Sequence, residues 1–224
     1  MNTFRSVSFL VAALVAVPAF AQQRPTVAGQ ERLRGYLIAG GGALISTPQN
    51  SVTVSAEVAE NVTSDIQVYM GAAYFDNVMS QASRDQLART GAALTAITGS
   101  PWVFEGRDRA RSFTVGGRYL IPASTSIRPY VGGGLGAINF RRTVREQSRG
   151  NITTAYLAQF GSADGVVDPT QSNTTRPMTE VAVGVGAAVK KAYIDVGYRW
   201  RKAFHTLDDT FEISGVGAAV GLKF

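Results

Sequence analysis

The chain contains one histidine, His205, and the residues around it decide whether it could take part in catalysis. A serine-type hydrolase needs a nucleophile within reach of the imidazole and a carboxylate that orients the ring. Asp208, Asp209 and Glu212 could supply the carboxylate, but Leu207 occupies the second position after the histidine and no serine lies nearby. We therefore expect His205 to be a loop residue, and we predict no catalytic residue.

Two further patterns that could indicate a bound group are weak. One imidazole next to loop carboxylates does not have the ligand spacing of a metal site, so we predict no metal. Residues 132–137 match the Gly-x-Gly-x-x-Ala pattern of dinucleotide-binding loops. That pattern is meaningful only where a helix follows within a βαβ unit, whereas residues 138–143 continue as a strand. The glycines fit strand curvature or close side-chain packing, and we predict no cofactor.

A set of charged residues lies on the polar face of alternating segments. The set consists of Glu57, Arg118, Glu180, Asp195, Arg199 and Arg201. A hairpin that pairs residue 189 with residue 192 would place Glu180 opposite Arg201. If this face lines the interior of a narrow barrel, the charges must pair, because an unpaired buried charge is costly. We expect a charge network that plugs the lumen. A narrow or gated aqueous path along the same residues is the alternative.

A second charged set lies beside the long connections of the chain. It consists of Arg107, Arg109, Arg111, Arg141, Arg142 and Arg145. Grouped at the outer rim of a barrel, these guanidinium groups would form a ring that could contact lipopolysaccharide phosphates, since guanidinium matches phosphate in geometry and charge. A solvated rim without a ligand is the other interpretation.

The elements that must hold these residues are strands, and the C-terminal segment shows the pattern most clearly. In residues 215–224, Val216, Ala218, Val220, Leu222 and Phe224 alternate with small residues and one lysine. A period of two places the two sets on opposite faces of a strand. An apolar outer face with a small or charged inner face is typical of a transmembrane β-barrel.

Similar alternation recurs upstream and predicts an all-β, antiparallel, up-and-down barrel of about eight strands. Predicted strands cover residues 35–45, 52–59, 65–74, 112–121, 127–140, 180–189 and 193–201, in addition to the C-terminal one. The connections at one end are short, whereas residues 77–108 and 145–175 form long connections at the other end. This asymmetry is typical of periplasmic turns and extracellular loops. Residues 83–97 favour a short helix over the barrel mouth, or else a variable surface loop.

The N-terminus predicts export. A positively charged start, an apolar run over residues 7–17 and the sequence Ala19-Phe20-Ala21 together indicate a signal peptide at residues 1–21. The domain organisation is then a short segment at residues 22–33 and one barrel at residues 34–224. The chain has no cysteine and a formal net charge of +6, which could favour anionic lipid headgroups. An exported domain without disulfides must be held together by other means, and a closed barrel is one.

Three stretches resemble a known family. Residues 128–136 (RPYVGGGLG), residues 196–200 (VGYRW) and the terminal Phe224 resemble the opacity-type small outer-membrane proteins with an eight-stranded barrel. The resemblance covers residues 34–224. It implies that Phe224 is the signal read by the barrel-assembly machinery. Outer-membrane lipid A deacylases place a serine two residues after the histidine, where this chain has Leu207.

Together these observations predict a monomeric outer-membrane protein of a Gram-negative bacterium with a structural or surface-interaction role. The alternatives are a small porin-like channel for small solutes and, second, an outer-membrane lipid-modifying enzyme. A soluble lipocalin-like barrel would reverse the facing of the strands and leave Phe224 unexplained. The expected partners are outer-membrane lipids and lipopolysaccharide, the barrel-assembly machinery and an extracellular ligand of unknown identity; nucleic acid is not expected.

Overall fold

The computed structural model describes residues 35–46, 51–123, 126–147, 150–151, 174–204 and 210–224. The signal peptide predicted at residues 1–21 and the segment 22–33 lie outside these ranges. So do His205, Asp208 and Asp209, and therefore the predicted character of that histidine stays a prediction. Most of the second long loop also lies outside the described residues.

The described residues form nine strands and one helix. In chain order these are β1 (Gly35–Leu44), β2 (Val52–Asn61), β3 (Ile66–Phe75), α1 (Gln81–Thr98), β4 (Phe104–Leu120), β5 (Ile127–Glu146), β6 (Gly150–Asn151), β7 (Thr174–Val189), β8 (Ala192–Phe204) and β9 (Thr210–Lys223). β6 contains two residues and pairs only with the end of β5. The other eight described strands build the barrel.

These eight strands pair with their neighbours in antiparallel order, and β1 closes the barrel by pairing with both β2 and β9. The prediction of an eight-stranded up-and-down barrel is confirmed. The predicted hairpin is confirmed as well, since Val189 lies opposite Ala192 and Glu180 opposite Arg201. Closure satisfies the backbone of every barrel strand, which is what a sheet needs in order to exist inside a lipid bilayer.

The outer surface of the barrel is apolar along its strands. Exposed side chains at alternating positions include Val54, Val68, Val115, Tyr119, Val131, Leu135, Val183, Val196, Val220 and Leu222. An apolar band of this extent is unusual on a protein surrounded by water and is expected for one surrounded by lipid. Within the described ranges, no helix has the length and apolarity needed to cross a membrane.

The barrel seam brings the last residue against the first strand. Gly35 donates a backbone hydrogen bond to the Phe224 carbonyl at 3.1 Å and accepts one from the Phe224 N–H at 3.0 Å. The Phe224 side chain stays 45% exposed on the outer surface. A Cβ atom at position 35 would lie 2.8 Å from Cε2 of that ring and 2.4 Å from the Ala59 carbonyl oxygen. Glycine is therefore required where the terminal aromatic ring crosses β1.

Strands β4 and β5 continue well past the other strands. They contain 17 and 20 residues, whereas about 9–11 residues are enough for a strand to span a bilayer. The sequence-based limits, 112–121 and 127–140, were too short at the loop side. The reason is that the arginine-rich segments keep the period of two with charged instead of apolar outer residues. The extra residues form the open end of the β4–β5 hairpin, a two-stranded ribbon that projects from the barrel and is here called the outer hairpin (residues 104–111 and 139–146).

Helix α1 covers the inner face of the outer hairpin, and the predicted helix at residues 83–97 is confirmed. Its N-cap Ser80 accepts a hydrogen bond from the Ser83 backbone N–H at 3.2 Å, and Gly99 ends the helix with φ of 67°. Leu87 of the helix packs with Met79 and with Val144 of β5. The hairpin thus has a covered inner face and a free outer face.

Candidate functional site

All six charged residues predicted for the interior face the lumen. Glu57, Arg118, Glu180, Asp195 and Arg201 are each at most 6% exposed, and the Arg199 side chain is 19% exposed. Three carboxylates face three guanidinium groups, so the formal charge of the set is balanced. We call this set the lumen network.

Glu57 is one centre of the lumen network. Its Oε2 atom lies 2.5 Å from Nη2 of Arg118 and 2.8 Å from Nη2 of Arg199. Its Oε1 atom accepts a hydrogen bond from the Tyr36 hydroxyl at 2.7 Å. The three partners come from β1, β4 and β8, so this one carboxylate joins strands on different sides of the barrel. The buried Arg118 guanidinium and the largely buried Arg199 guanidinium both have this carboxylate as a charge partner.

Glu180 is the second centre. Its Oε2 atom lies 2.6 Å from Nε of Arg201, and its Oε1 atom lies 3.7 Å from Nη1 of Arg199. The Tyr69 hydroxyl donates a hydrogen bond to Oε1 at 2.9 Å. Arg199 therefore connects the two centres, and the charges form one continuous system across the lumen.

Four tyrosines complete the interior, and the sequence analysis missed them. Tyr36 and Tyr193 stack with ring centroids 4.1 Å apart. The Arg118 guanidinium lies 4.2 Å from the Tyr69 ring centroid and 4.5 Å from that of Tyr130. The signal was present in the sequence, because each tyrosine occupies the inward register of its strand. If Glu57 on β2 and Arg118 on β4 face the interior, the pairing of the strands determines which residues of β1, β3 and β5 face the interior as well.

An apolar cluster lies inside the barrel on the side of the long loops. It consists of Leu44, Ala73, Phe75, Val78, Ala110, Ile138, Met178, Ala203 and Ile213. Phe75 and Ile138 are fully buried, and Phe140 packs against this layer in an edge-to-face contact with Phe211 at 5.3 Å. The prediction of a polar or small interior was therefore wrong for this end of the barrel. We call this cluster the apolar seal.

A small cavity lies beside the lumen network, next to the glycine-rich strands β1 and β9. Its volume is about 40 Å³, and its lining includes Ser55, Asp195 and Arg199 together with Gly215 and Gly217. Asp195 accepts a hydrogen bond from the Tyr130 hydroxyl at 3.1 Å, while its Oδ2 atom has no hydrogen-bond partner among the described residues. A polar cavity of this volume has room for a few water molecules. Leu44 of the apolar seal also lines it.

The six rim arginines do not form the expected ring. Five are exposed on the outer face of the outer hairpin: Arg107, Arg109, Arg111, Arg141 and Arg145. They lie on one side of the barrel because, of the eight described barrel strands, only β4 and β5 continue beyond it. We call these five residues the arginine ladder.

Arg142 points the other way, toward helix α1. Its guanidinium donates hydrogen bonds to both Asp108 carboxylate oxygens, at 2.8 and 2.7 Å, and to the Ser83 hydroxyl at 3.0 Å. The hydrogen bond to Asp108 raises the pKa of the Arg142 guanidinium above its ordinary value. Arg142 thus joins the helix to the hairpin and is not part of the outer surface. Because side chains alternate between the two faces of a strand, Arg142 and its neighbour Arg141 point to opposite faces of β5.

Within the described ranges, no three histidine, aspartate or glutamate side chains are placed to hold a metal ion together. No family model matches the sequence, and no curated protein matches it either. Solved structures do match. Neisserial surface protein A (NspA) superposes with a TM-score of 0.52 at 14% identity, over 85% of this chain and 97% of NspA. This chain has the fold of the small eight-stranded outer-membrane β-barrels.

Two other solved structures of this group match less well. Ail, the attachment invasion locus protein of Yersinia pestis, has a TM-score of 0.49 at 11% identity over 85% of this chain and 97% of Ail. The outer membrane enzyme PagL has a TM-score of 0.41 at 14% identity over 84% of this chain and 99% of PagL. Identities this low concern the fold alone. The comparison with NspA therefore establishes the fold of the chain and nothing further.

Proposed function

We propose that this protein is a closed-lumen outer-membrane barrel of a Gram-negative bacterium whose work is done by its extracellular surface, in a structural or surface-interaction role. The observation that carries the proposal is the apolar seal above the lumen network. A solute crossing the barrel would have to displace buried side chains such as Phe75 and Ile138, which are 0% exposed, and then break ion pairs of 2.5–2.8 Å around Glu57.

The outer hairpin and α1 supply the surface for that role. The helix packs on the inner face through Leu87 and is tied to the hairpin by Arg142, which gives a rigid platform outside the membrane. Recognition residues commonly lie on segments that a rigid scaffold holds in place. The partner on this side is an extracellular ligand of unknown identity, and the protein acts as a monomer.

The remaining roles follow from the sequence and the seam. Phe224, exposed at the edge of the barrel, is the signal for the barrel-assembly machinery, and a cleaved peptide at residues 1–21 directs export. The protein is not an enzyme, because Leu207 stands where a deacylase-like site needs a serine.

The test is the single-channel conductance of the purified, folded mature protein in a planar bilayer. We expect no discrete current steps from protein whose folding is established by its heat-dependent shift on a gel. The matched comparison is the double variant Phe75→Ala, Met178→Ala, which removes two large side chains from the apolar seal and substitutes none of the six charged residues of the lumen network. Reproducible steps from the wild-type protein would overturn the closed lumen.

A narrow channel is the second candidate, and the 40 Å³ cavity beside Asp195 is the observation in its favour. If ions pass the lumen, this carboxylate lines the path next to Arg199. The substitution Asp195→Asn would then change the ratio of cation to anion permeability. A silent wild-type protein would eliminate this candidate.

A further inference from the structure

We propose that the arginine ladder binds the phosphate groups of lipopolysaccharide in the outer leaflet, with Arg109, Arg111 and Arg141 as the binding triangle. The inference rests on the proposed orientation of the barrel in the outer membrane and identifies one partner of its extracellular side. It does not depend on whether the lumen is closed.

The first argument is the pairing of like charges. Arg109 lies directly opposite Arg141 in the antiparallel register, and Arg111 lies diagonal to Arg141. Directly opposed residues have Cα atoms about 5 Å apart, and two positive charges at such positions oppose strand pairing. An anion held between the guanidinium groups would remove this repulsion.

The second argument is the lack of carboxylate partners at the triangle. Asp76 forms an ion pair with Arg107, and Glu105 lies opposite Arg145 in the register. Among the described residues, no ion pair or side-chain hydrogen bond is found for Arg109, Arg111 or Arg141. Three neighbouring guanidinium groups therefore have their donors free for a ligand. Guanidinium presents two parallel N–H donors to one phosphate, which a lysine ammonium cannot do.

The third argument is the height of the triangle relative to the lipid. Phe113 follows Arg111 by two residues on the same outer face, which is about 7 Å along the strand, and its side chain is 45% exposed. Ala137 of β5 lies opposite Phe113 and faces outward. Leu135, two residues from Ala137 on the same face, is 71% exposed. The triangle thus adjoins the loop-side edge of the apolar band, where lipid headgroups lie.

This position selects a lipid phosphate over a free one. Soluble phosphate gains nothing from the apolar band next to the triangle. A phosphorylated lipid places its acyl chains against Phe113 and Leu135 while its phosphates reach the guanidinium groups. Lipopolysaccharide is the phosphate-bearing lipid of the outer leaflet, on the side where the outer hairpin projects.

The experiment measures lipopolysaccharide binding by the folded full-length mature protein in phosphatidylcholine bilayers. The test variant is Arg109→Gln, Arg111→Gln, Arg141→Gln. The matched control is Arg89→Gln, Lys190→Gln, Lys191→Gln, which removes three exposed positive charges from α1 and the opposite end of the barrel. We expect the test variant to bind lipopolysaccharide at least about tenfold more weakly than the wild type, which corresponds to the loss of at least one charge-assisted contact. The control variant should bind nearly as tightly as the wild type.

Two further arms identify the ligand. Enzymatically dephosphorylated lipopolysaccharide should bind the wild-type protein as weakly as intact lipopolysaccharide binds the test variant. Millimolar inorganic phosphate should not displace the lipid. Displacement by phosphate would overturn the lipid assignment, and equal loss in the test and control variants would overturn the site.

If the glutamine variant does not fold, the triple substitution of the same arginines by lysine replaces it. Lysine keeps the charge but presents a point donor, so we expect binding several-fold weaker than that of the wild type. Binding equal to that of the wild type would overturn the bidentate site. A conducting wild-type protein would contradict the closed lumen and leave these binding results unaffected, so the two proposals fail independently.

Discussion

Arginine occupies two opposite environments in this barrel. In the lumen, the buried Arg118 and the largely buried Arg199 lie 2.5 and 2.8 Å from the same carboxylate of Glu57. On the outer hairpin, Arg109 and Arg141 face each other and have no carboxylate partner among the residues that the structure describes. The interior must pair its charges because burial removes the water that would solvate them. The outer face carries no such requirement, because water can solvate the exposed guanidinium groups there.

Removing the charge of Glu57 should give the largest effect. The substitution Glu57→Gln leaves Arg118 and Arg199 without their shared carboxylate, and loss of one partner of a buried ion pair costs about 3–5 kcal/mol. We expect that loss in the free energy of unfolding, measured by urea titration of the protein in lipid vesicles. Glu60→Gln, on the outer face of the same strand, is the control and should change it little. A loss below about 1 kcal/mol for Glu57→Gln would mean that Arg118 and Arg199 do not require the Glu57 carboxylate as a charge partner.

Opening the apolar seal should have the next largest effect. Phe75 is fully buried, and the Arg201 guanidinium lies 5.2 Å from its ring centroid. The substitution Phe75→Ala removes a large side chain and leaves a cavity, which typically lowers stability by about 3 kcal/mol. The same urea titration measures it, with Phe75→Leu as the conservative variant and a loss of about 1 kcal/mol expected. Equal losses for the two substitutions would contradict close packing of the seal.

Arg141 and Arg142 are neighbours in the sequence but lie on opposite faces of the outer hairpin, so their substitutions can be compared directly. Arg142→Gln removes the bonds to Asp108 and Ser83 at a partly exposed site, so we expect a loss of about 1–2 kcal/mol. Fluorescence of Trp102 in a Trp200→Phe background reports unfolding of the outer hairpin, since Trp102 packs near Phe104 with ring centroids 5.9 Å apart. No shift in the Trp102 transition would contradict the joining role of Arg142.

The substitution with the smallest expected effect, Arg141→Gln, should raise the stability of the outer hairpin and not lower it. Arg141→Gln relieves the repulsion with Arg109, and opposed charge pairs of this kind are worth about 0.2–1 kcal/mol. We expect the hairpin transition in lipopolysaccharide-free bilayers to move toward higher stability by that amount. The gain should disappear at high salt, where exposed charges are screened. A loss of stability in lipopolysaccharide-free bilayers would show that Arg141 has an intramolecular partner.

Much of the fold was readable from the sequence because a membrane barrel imposes a simple rule. Lipid on one side and a narrow interior on the other force alternation, and the pattern at residues 215–224 therefore predicted the facing of β9 correctly. The opposed pair Glu180 and Arg201 followed from one hairpin turn. Helix α1 was also predictable, from its helix-favouring composition.

The errors have a common physical cause. The rule of an apolar outside and a polar inside holds only at membrane depth, whereas β4 and β5 leave the membrane while remaining strands. There the outer face becomes charged, which made residues 104–111 resemble a loop. The apolar seal was not predicted, because Phe75 and Ile138 were not assigned to the inward faces of their strands.

The sequence by itself determined that the chain forms lipid-facing strands, roughly how many, and which residues share a face, because the side-chain period of a strand depends on local geometry alone. Only the tertiary structure decided which side chains meet across the lumen. The contact of Glu57 with both Arg118 and Arg199, the apolar cluster at one end and the grouping of arginines on one hairpin depend on strand register, stagger and length. Those quantities are set by the closed barrel as a whole and not by any single strand.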